Sequence, residues 1–214
     1  MSVSKHYTST EGYTHLIDLG ESIIENLHFG ILNLSPNSTY FDHSDSCEVV
    51  LIVLGGQCRL LVGHNGNKAN GVLGKRKDVF DGEACLAFIP HHTTYEVITT
   101  SNRVEIAFCK TPSHTDSAAV ILNVGENRTN TNYKLSIFEN EFETEWIGEG
   151  FCFYRFHEEK GSASIYLDDS ENKSTRVVMH HNDLLGIADQ TRARLLEFEG
   201  EIYELSVFQS IHLQ

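Results

Sequence analysis

Short runs of Val, Ile, Leu and Phe recur along the whole chain, each closed by Gly, Asn, Asp or Ser, and no stretch holds a long 3.6-residue apolar period. Examples are His28 to Leu34, Val49 to Leu54, Cys58 to Val62, Ala84 to Ile89, Tyr95 to Thr99, Val104 to Cys109, Phe151 to Phe156, Ser162 to Leu167, Asp183 to Ile187 and Ile202 to Phe208. Runs this short cannot cover themselves singly, so they must pair and bury one face. The predicted fold class is therefore all-β, an antiparallel sandwich or barrel. With 214 residues, 40% of them hydrophobic, the chain can fill one large β unit or two small ones. The polar stretch GENRTNTNY divides the runs into two groups, which predicts a first barrel over 1–124, a linker over 125–134 and a smaller second barrel over 135–214.

Charge narrows the partners. Sixteen Lys plus Arg stand against 30 Asp plus Glu, a formal net charge of -14, which repels phosphate backbones and anionic membrane surfaces. Neither nucleic acid nor a membrane is expected as a partner. The start MSVSKHYTSTEGYTHLIDLG has no apolar run behind a basic segment, and no stretch is apolar over the length of a span, so a cytoplasmic location is expected. Cys47, Cys58, Cys85, Cys109 and Cys152 are odd in number, fall mostly in strand-like runs and form no CxxC pair, which reads as reduced core residues.

Between Asn37 and Gly55 the chain can be laid on the metal signature of cupins, in which a His pair and a Glu project inward: Asn37, five residues, His43, Ser44, Asp45, two residues, Glu48, six residues, Gly55. Asn37 replaces the usual Gly and Asp45 the second His, and the spacing to Glu48 is short. His43, Asp45 and Glu48, joined by His92 after Pro90, offer nitrogen and oxygen ligands suited to a divalent ion. The competing reading of FDHSDSCE is a solvated loop. His180 and His181 are adjacent, so on a strand they would face opposite sides, and a turn into Asp183 is expected. Glu139, Glu141, Glu143 and Glu145 alternate through FENEFETEW; their ordinary reading is a charged edge that discourages edge pairing. No nucleophile-elbow sequence and no phosphate-cradling Gly pattern occurs.

The segment Gly71 to Thr100, with Gly71, Gly74, Arg76, Val79-Phe80-Asp81-Gly82, Pro90 and Tyr95, resembles the 5-deoxy-glucuronate isomerases of inositol catabolism, relatives of the 5-keto-4-deoxyuronate isomerases. HFGILNLSPNSTYF and EVVLIVLGGQCRLLVG extend the likeness through the first half. FYRF at Phe153 to Phe156, Gly161, Tyr166, Asp168, Asp169 and Asp183-Leu184-Leu185 carry it into the second. The resemblance implies a bicupin of two jelly-roll barrels and an aldose-ketose isomerase of sugar acids. It also implies a zinc- or manganese-type divalent metal in the second barrel and a homo-oligomer. In that family the metal is held by two His of a Pro-rich loop, a Glu ahead of the FYRF strand and a His after the last turn. Here no Pro and no His lies between Val124 and Phe151, Gly150 stands where the Glu would fall with Glu149 one residue away, and Arg192 stands where the last His is expected. The expectation is that the family's metal is lost from that barrel or relocated. Arg155, Arg192 and Arg194 are then candidates for holding a uronate carboxylate or an enediolate. The alternative is a non-catalytic bicupin that binds a sugar acid or a protein partner.

Overall fold

The computed structural model describes residues 2–20, 23–64, 67–115, 117–123, 133–139, 145–158, 160–171, 173–189 and 191–209. Every regular element among them is a β-strand, and all the pairings are antiparallel. No helix among the described residues is long and apolar enough to cross a membrane.

The chain forms two compact units. One comprises Ser9–Leu19 and Asn26–Glu126, the other Met1–Thr8, Gly20–Glu25 and Asn127–Gln214. The expected division at 124 thus differs at the start of the chain, where two short segments cluster with the C-terminal half. β1 (Ser2–His6) pairs with β15 (Asp183–Ile187) along its whole length, and the Glu25 N–H donates to Glu149. Most of the expected linker lies outside the described residues, and Tyr133 and Lys134 already belong to β10 (Tyr133–Glu139).

The first unit is organised by two long strands, β5 (Cys47–His64) and β8 (Thr94–Pro112), each of which the sequence runs suggest as two separate strands. They pair with each other twice, 47–56 against 104–112 and 58–63 against 94–99, with register shifts around Gly55 and Gly56 between the two stretches. The inner half of this ribbon joins β2 (Gly12–Ile17), β3 (His28–Leu34), β7 (Cys85–Ile89) and β9 (Val120–Asn123); the other half joins β4 (Thr39–His43) and β6 (Asn67–Leu73). Two layers result from one folded ribbon, the jelly-roll arrangement. Gly56, at φ 86°, makes the corner, since a Cβ there would run into the Arg103 carbonyl oxygen and Val104. Arg76, 2% exposed, pins the same corner by donating from Nε (2.9 Å) and Nη2 (2.7 Å) to the Val53 carbonyl. Gly74 and Arg76 of the family-like segment are thus structural residues. Leu32, Val49, Leu51, Val53, Leu60, Val97, Val104, Ile106 and Phe108 fill the space between the layers.

In the second unit, β15, β12 (Gly150–Phe156), β17 (Ile202–Gln209) and β10 form one sheet with β1, while β11 (Glu145–Ile147), β16 (Arg192–Glu199), β13 (Ser162–Asp168) and β14 (Ser174–His180) form another. Cys152, Tyr154, Phe156, Leu185, Ile202 and Phe208 of the first meet Trp146, Ile165, Met179, Ala193 and Leu195 of the second in one core. The five cysteines are buried and unpaired, and burial pushes the Cys58 thiol up to about 12.

Candidate functional site

In the first unit, strand alternation delivers polar side chains to one end of an otherwise apolar interior. On β4, Phe41 points out and is 68% exposed, so Tyr40 and Asp42 point in. Asp42 gathers donors: the Tyr95 hydroxyl at 2.6 Å, the Lys110 ammonium at 2.9 Å and the Tyr40 hydroxyl at 3.2 Å on Oδ2, and the His43 N–H at 2.8 Å on Oδ1. Burial pushes this carboxyl up, but the bonds from Tyr95, Lys110 and His43 outweigh it and hold Asp42 below the usual carboxylate range. It is therefore ionised at neutral pH. The three tyrosines around it, Tyr13, Tyr40 and Tyr95, are pushed far up, first by burial and then by the neighbouring phenols and Asp42, and they remain hydroxyl donors.

Tyr13 links this cluster to a second one. Its ring packs edge-on against Phe108 and stacks with Tyr40, and its hydroxyl lies 2.6 Å from His28 Nε2. The ring crosses β3 over Gly30, where a Cβ would collide with the Tyr13 hydroxyl and lie 2.5 Å from its Cζ, so glycine is what lets Tyr13 reach His28. His28 Nδ1 stands 3.3 Å from Asp18 Oδ1, and His15 Nδ1 stands 2.9 Å from the same oxygen. Burial, then the Lys110 charge, lowers His28 to about 4, so it is a neutral imidazole near pH 7. With its proton on Nδ1 it donates to Asp18 and accepts from Tyr13, which satisfies both ring nitrogens.

The residues expected from the cupin signature sit elsewhere. His43 and Asp45 form a turn: Asp45 N–H donates to His43 Nδ1 at 2.9 Å, and the side chains are 41% and 85% exposed. Asp45 and His92 both have positive φ, and His92 N–H donates to the Asp45 carbonyl. Glu48 is buried at the start of β5. Among the described residues, the trio whose metal-ligating atoms converge is His15, Asp18 and His28, and not the His43, Asp45, Glu48 and His92 set. Alternation in TYFDH was the available signal for Asp42. Nothing in the spacing of His15, Asp18 and His28 signals their meeting.

In the second unit, the described residues leave no room for a metal-binding side chain at position 150. Gly150 pairs with Phe208, whose ring occupies the direction a side chain at 150 would take, and the Val207 carbonyl oxygen would be 2.5 Å from its Cβ. Glu149 turns away and accepts the Glu25 N–H at 3.0 Å. The interior does hold a fully buried carboxylate, Glu204, opposite Tyr154, but among the described residues no ligand group converges there. The three arginines also avoid this interior. Ala193 and Leu195 face the core, so Arg192 and Arg194 occupy the opposite face. There Arg194 clasps Asp168 through Nε at 2.8 Å and Nη2 at 3.1 Å, which lowers that carboxyl. Arg155, opposite in parity to Tyr154 and Phe156, donates to Asn182 Oδ1 at 3.0 Å and lies 5.4 Å over the Phe153 ring. His180 ends β14 and His181 lies in the turn before β15, its Nδ1 2.8 Å from the Phe156 carbonyl oxygen. Glu141 and Glu143 lie outside the described residues.

Comparison with known proteins agrees with this architecture. The chain is similar over 99% of its length, and 94% of the other's, to an IolB-like protein of Salmonella typhimurium LT2, at 15% identity and a TM-score of 0.77. The oxalate decarboxylase OxdC of Bacillus subtilis matches with a TM-score of 0.67 at 11% identity, over 99% of this chain and 78% of that one. That of Lactobacillus farciminis matches with a TM-score of 0.67 at 10% identity, over 98% and 86%. These likenesses establish the fold as a bicupin. No curated protein matches in sequence. The KduI/IolB family profile matches residues 2–132, more than half of the chain, and the chain belongs to the KduI/IolB family.

Proposed function

We propose that this protein acts on a sugar acid in carbohydrate catabolism, as an aldose-ketose isomerase whose polar chemistry lies in the first unit. The observation that carries the reading is the convergence of an ionised Asp42 with the Lys110 ammonium and the Tyr40 and Tyr95 hydroxyls at one end of that unit. Membership of the KduI/IolB family supports a sugar acid as the substrate class. Isomerisation moves a proton between adjacent carbons through an enediolate, and needs a proton acceptor and donors for the developing oxyanion. Asp42 is the acceptor in this reading, and Lys110 with the phenols supplies the donors. Phe208, in the direction a side chain at 150 would take, supports placing the chemistry in the first unit.

The test is turnover of 5-deoxy-glucuronate and of a 5-keto-4-deoxyuronate followed by proton NMR, with ligand binding measured on the same samples. Turnover is expected, with Asp42→Asn lowering it by about a hundredfold or more. Absence of both turnover and binding refutes the proposal. Binding without turnover selects the alternative of a non-catalytic sugar-acid binder, which the crowding of position 150 by Phe208 favours. Homo-oligomeric assembly is part of either reading.

A further inference from the structure

Hydrogen bonds hold the trio of His15, Asp18 and His28 together, and the same three groups stand at metal-ligand spacing. Its members come from three places in the chain: His15 from β2, Asp18 from just beyond that strand, and His28 from the first position of β3. The β2–β3 register shifts between His15 and Ile17, and such a bulge re-aims the residues that follow it. As a result both imidazoles present Nδ1 to a single carboxylate oxygen, and the ligand atoms of all three lie within 4.8 Å of one another.

We propose that these three side chains bind one divalent transition-metal ion of the zinc class, through two imidazole nitrogens and one carboxylate oxygen. Two nitrogens and one oxygen suit zinc, cobalt, nickel or iron better than calcium or magnesium, which prefer oxygen alone. Three protein ligands leave positions for water or substrate. The site is asymmetric in the manner such a centre requires. His28 is 8% exposed at its side chain and forms the fixed inner wall, whereas His15 at 60% and Asp18 at 40% leave an approach from solvent. The inner wall is itself oriented, for the Tyr13 hydroxyl meets His28 Nε2 with the two rings 7° from parallel, and Gly30 makes room for it. A group that fixes the far nitrogen of a ligating imidazole is the usual outer partner of a metal-bound histidine. Metal on Nδ1 would call for the His28 tautomer protonated at Nε2, whose N–H would donate to the Tyr13 oxygen with the hydroxyl hydrogen turned away from the ring. The nearby Lys110 ammonium is offset by Asp42 at 2.9 Å.

The inference does not rest on the isomerase reading, because its test uses the metal alone. The full chain, stripped with chelator, is titrated with zinc by calorimetry and with cobalt(II) by visible absorption. One ion per chain is expected, with a Kd of about 10 μM or tighter. His15→Ala and Asp18→Asn, both on the solvent side, each weaken it by about tenfold or more, as does Tyr13→Phe through the lost outer partner. His43→Ala, which breaks a His–Asp pair of similar appearance in the turn, leaves affinity unchanged. Failure of the wild-type chain to bind either ion overturns the proposal, and so does unchanged affinity in folded His15→Ala.

Discussion

If Phe208 closes the second unit against a ligand at 150, then enlarging Gly150 must push on that ring. A Cβ at 150 would collide with Phe208 Cδ1, approach its Cγ at 2.6 Å and lie 2.5 Å from the Val207 carbonyl oxygen. The ring cannot retreat freely, because it stacks on the Trp146 indole at 6.2 Å and 13°. The carbonyl cannot move without disturbing the β12–β17 pairing, in which Gly150 faces Phe208. Overpacking of this kind costs about 1–3 kcal/mol for Gly150→Ala, a fall of roughly 2–12 °C in Tm for a chain of this size. Trp146 is the chain's single tryptophan, so its fluorescence reports this unit during thermal and urea unfolding. A double-mutant cycle sharpens the test. Phe208→Ala alone leaves a cavity and costs about 3–5 kcal/mol. Combined with Gly150→Ala it should cost less than the sum by about 1 kcal/mol or more, since each change relieves the other. Gly150→Glu, which supplies the residue that the family resemblance implies there, should be more damaging than Gly150→Ala, because it also buries a carboxylate. Strict additivity, an unchanged Tm in Gly150→Ala, or metal binding gained by Gly150→Glu at wild-type stability would each refute the reasoning.

The Asp42 network predicts a pH signature. Because Asp42 is held below the usual carboxylate range, its contribution is complete above the unfolded-state pKa of about 3.9 and is lost as pH falls through the lower folded value. Asp42→Asn should therefore be less stable than wild type by about 1–3 kcal/mol in urea at pH 7, with the gap narrowing in acid, and a pH-independent gap would count against the network. Gly30→Ala should displace Tyr13, since the new methyl would also lie 2.8 Å from the Thr14 carbonyl oxygen. The expected cost is about 1–3 kcal/mol, with a shift of the His28 ring resonances in NMR spectra, and unmoved resonances would show that Tyr13 does not lean on Gly30.

The strands and their antiparallel class were legible because a half-buried strand writes its period into the sequence. His28–Leu34 and Asp183–Ile187 are strands over the very residues the apolar runs mark. Strands with little apolar signal were harder to see. β1 (SVSKH) is mostly exposed, and it owes its place to pairing with β15, a partner more than 170 residues away. Each of the two long strands of the first unit reads as two, because the corner at Gly55 and Gly56 looks like a turn between strands when it is a bend within one. The family-like segment signalled the fold truly through Gly74 and Arg76, which fix that corner, while Tyr95 of the same segment enters the polar network.

The candidate site was less legible, and the reason is parity. Laying the cupin signature on Asn37 to Gly55 puts His43 inward, and His43 lies one residue beyond Asp42. On a strand, one residue exchanges the two faces. Asp42 rather than His43 therefore meets Tyr95 and Lys110, and His43 closes a turn with Asp45. Arg192 and Arg194 fall to the same rule, since Ala193 and Leu195 claim the core face. The trio at Asp18 fails differently, because the bulge after His15 breaks the period that a sequence reader must assume, and His28 arrives from another strand. Alternation along β4 thus turns Asp42 inward, whereas Tyr95 and Lys110, of opposite parity on β8, both reach it because the inward parity of that strand changes between Val97 and Val104. The His15–Asp18–His28 cluster requires the pairing itself, since only a register shift between β2 and β3 turns a strand residue and a loop residue toward one histidine.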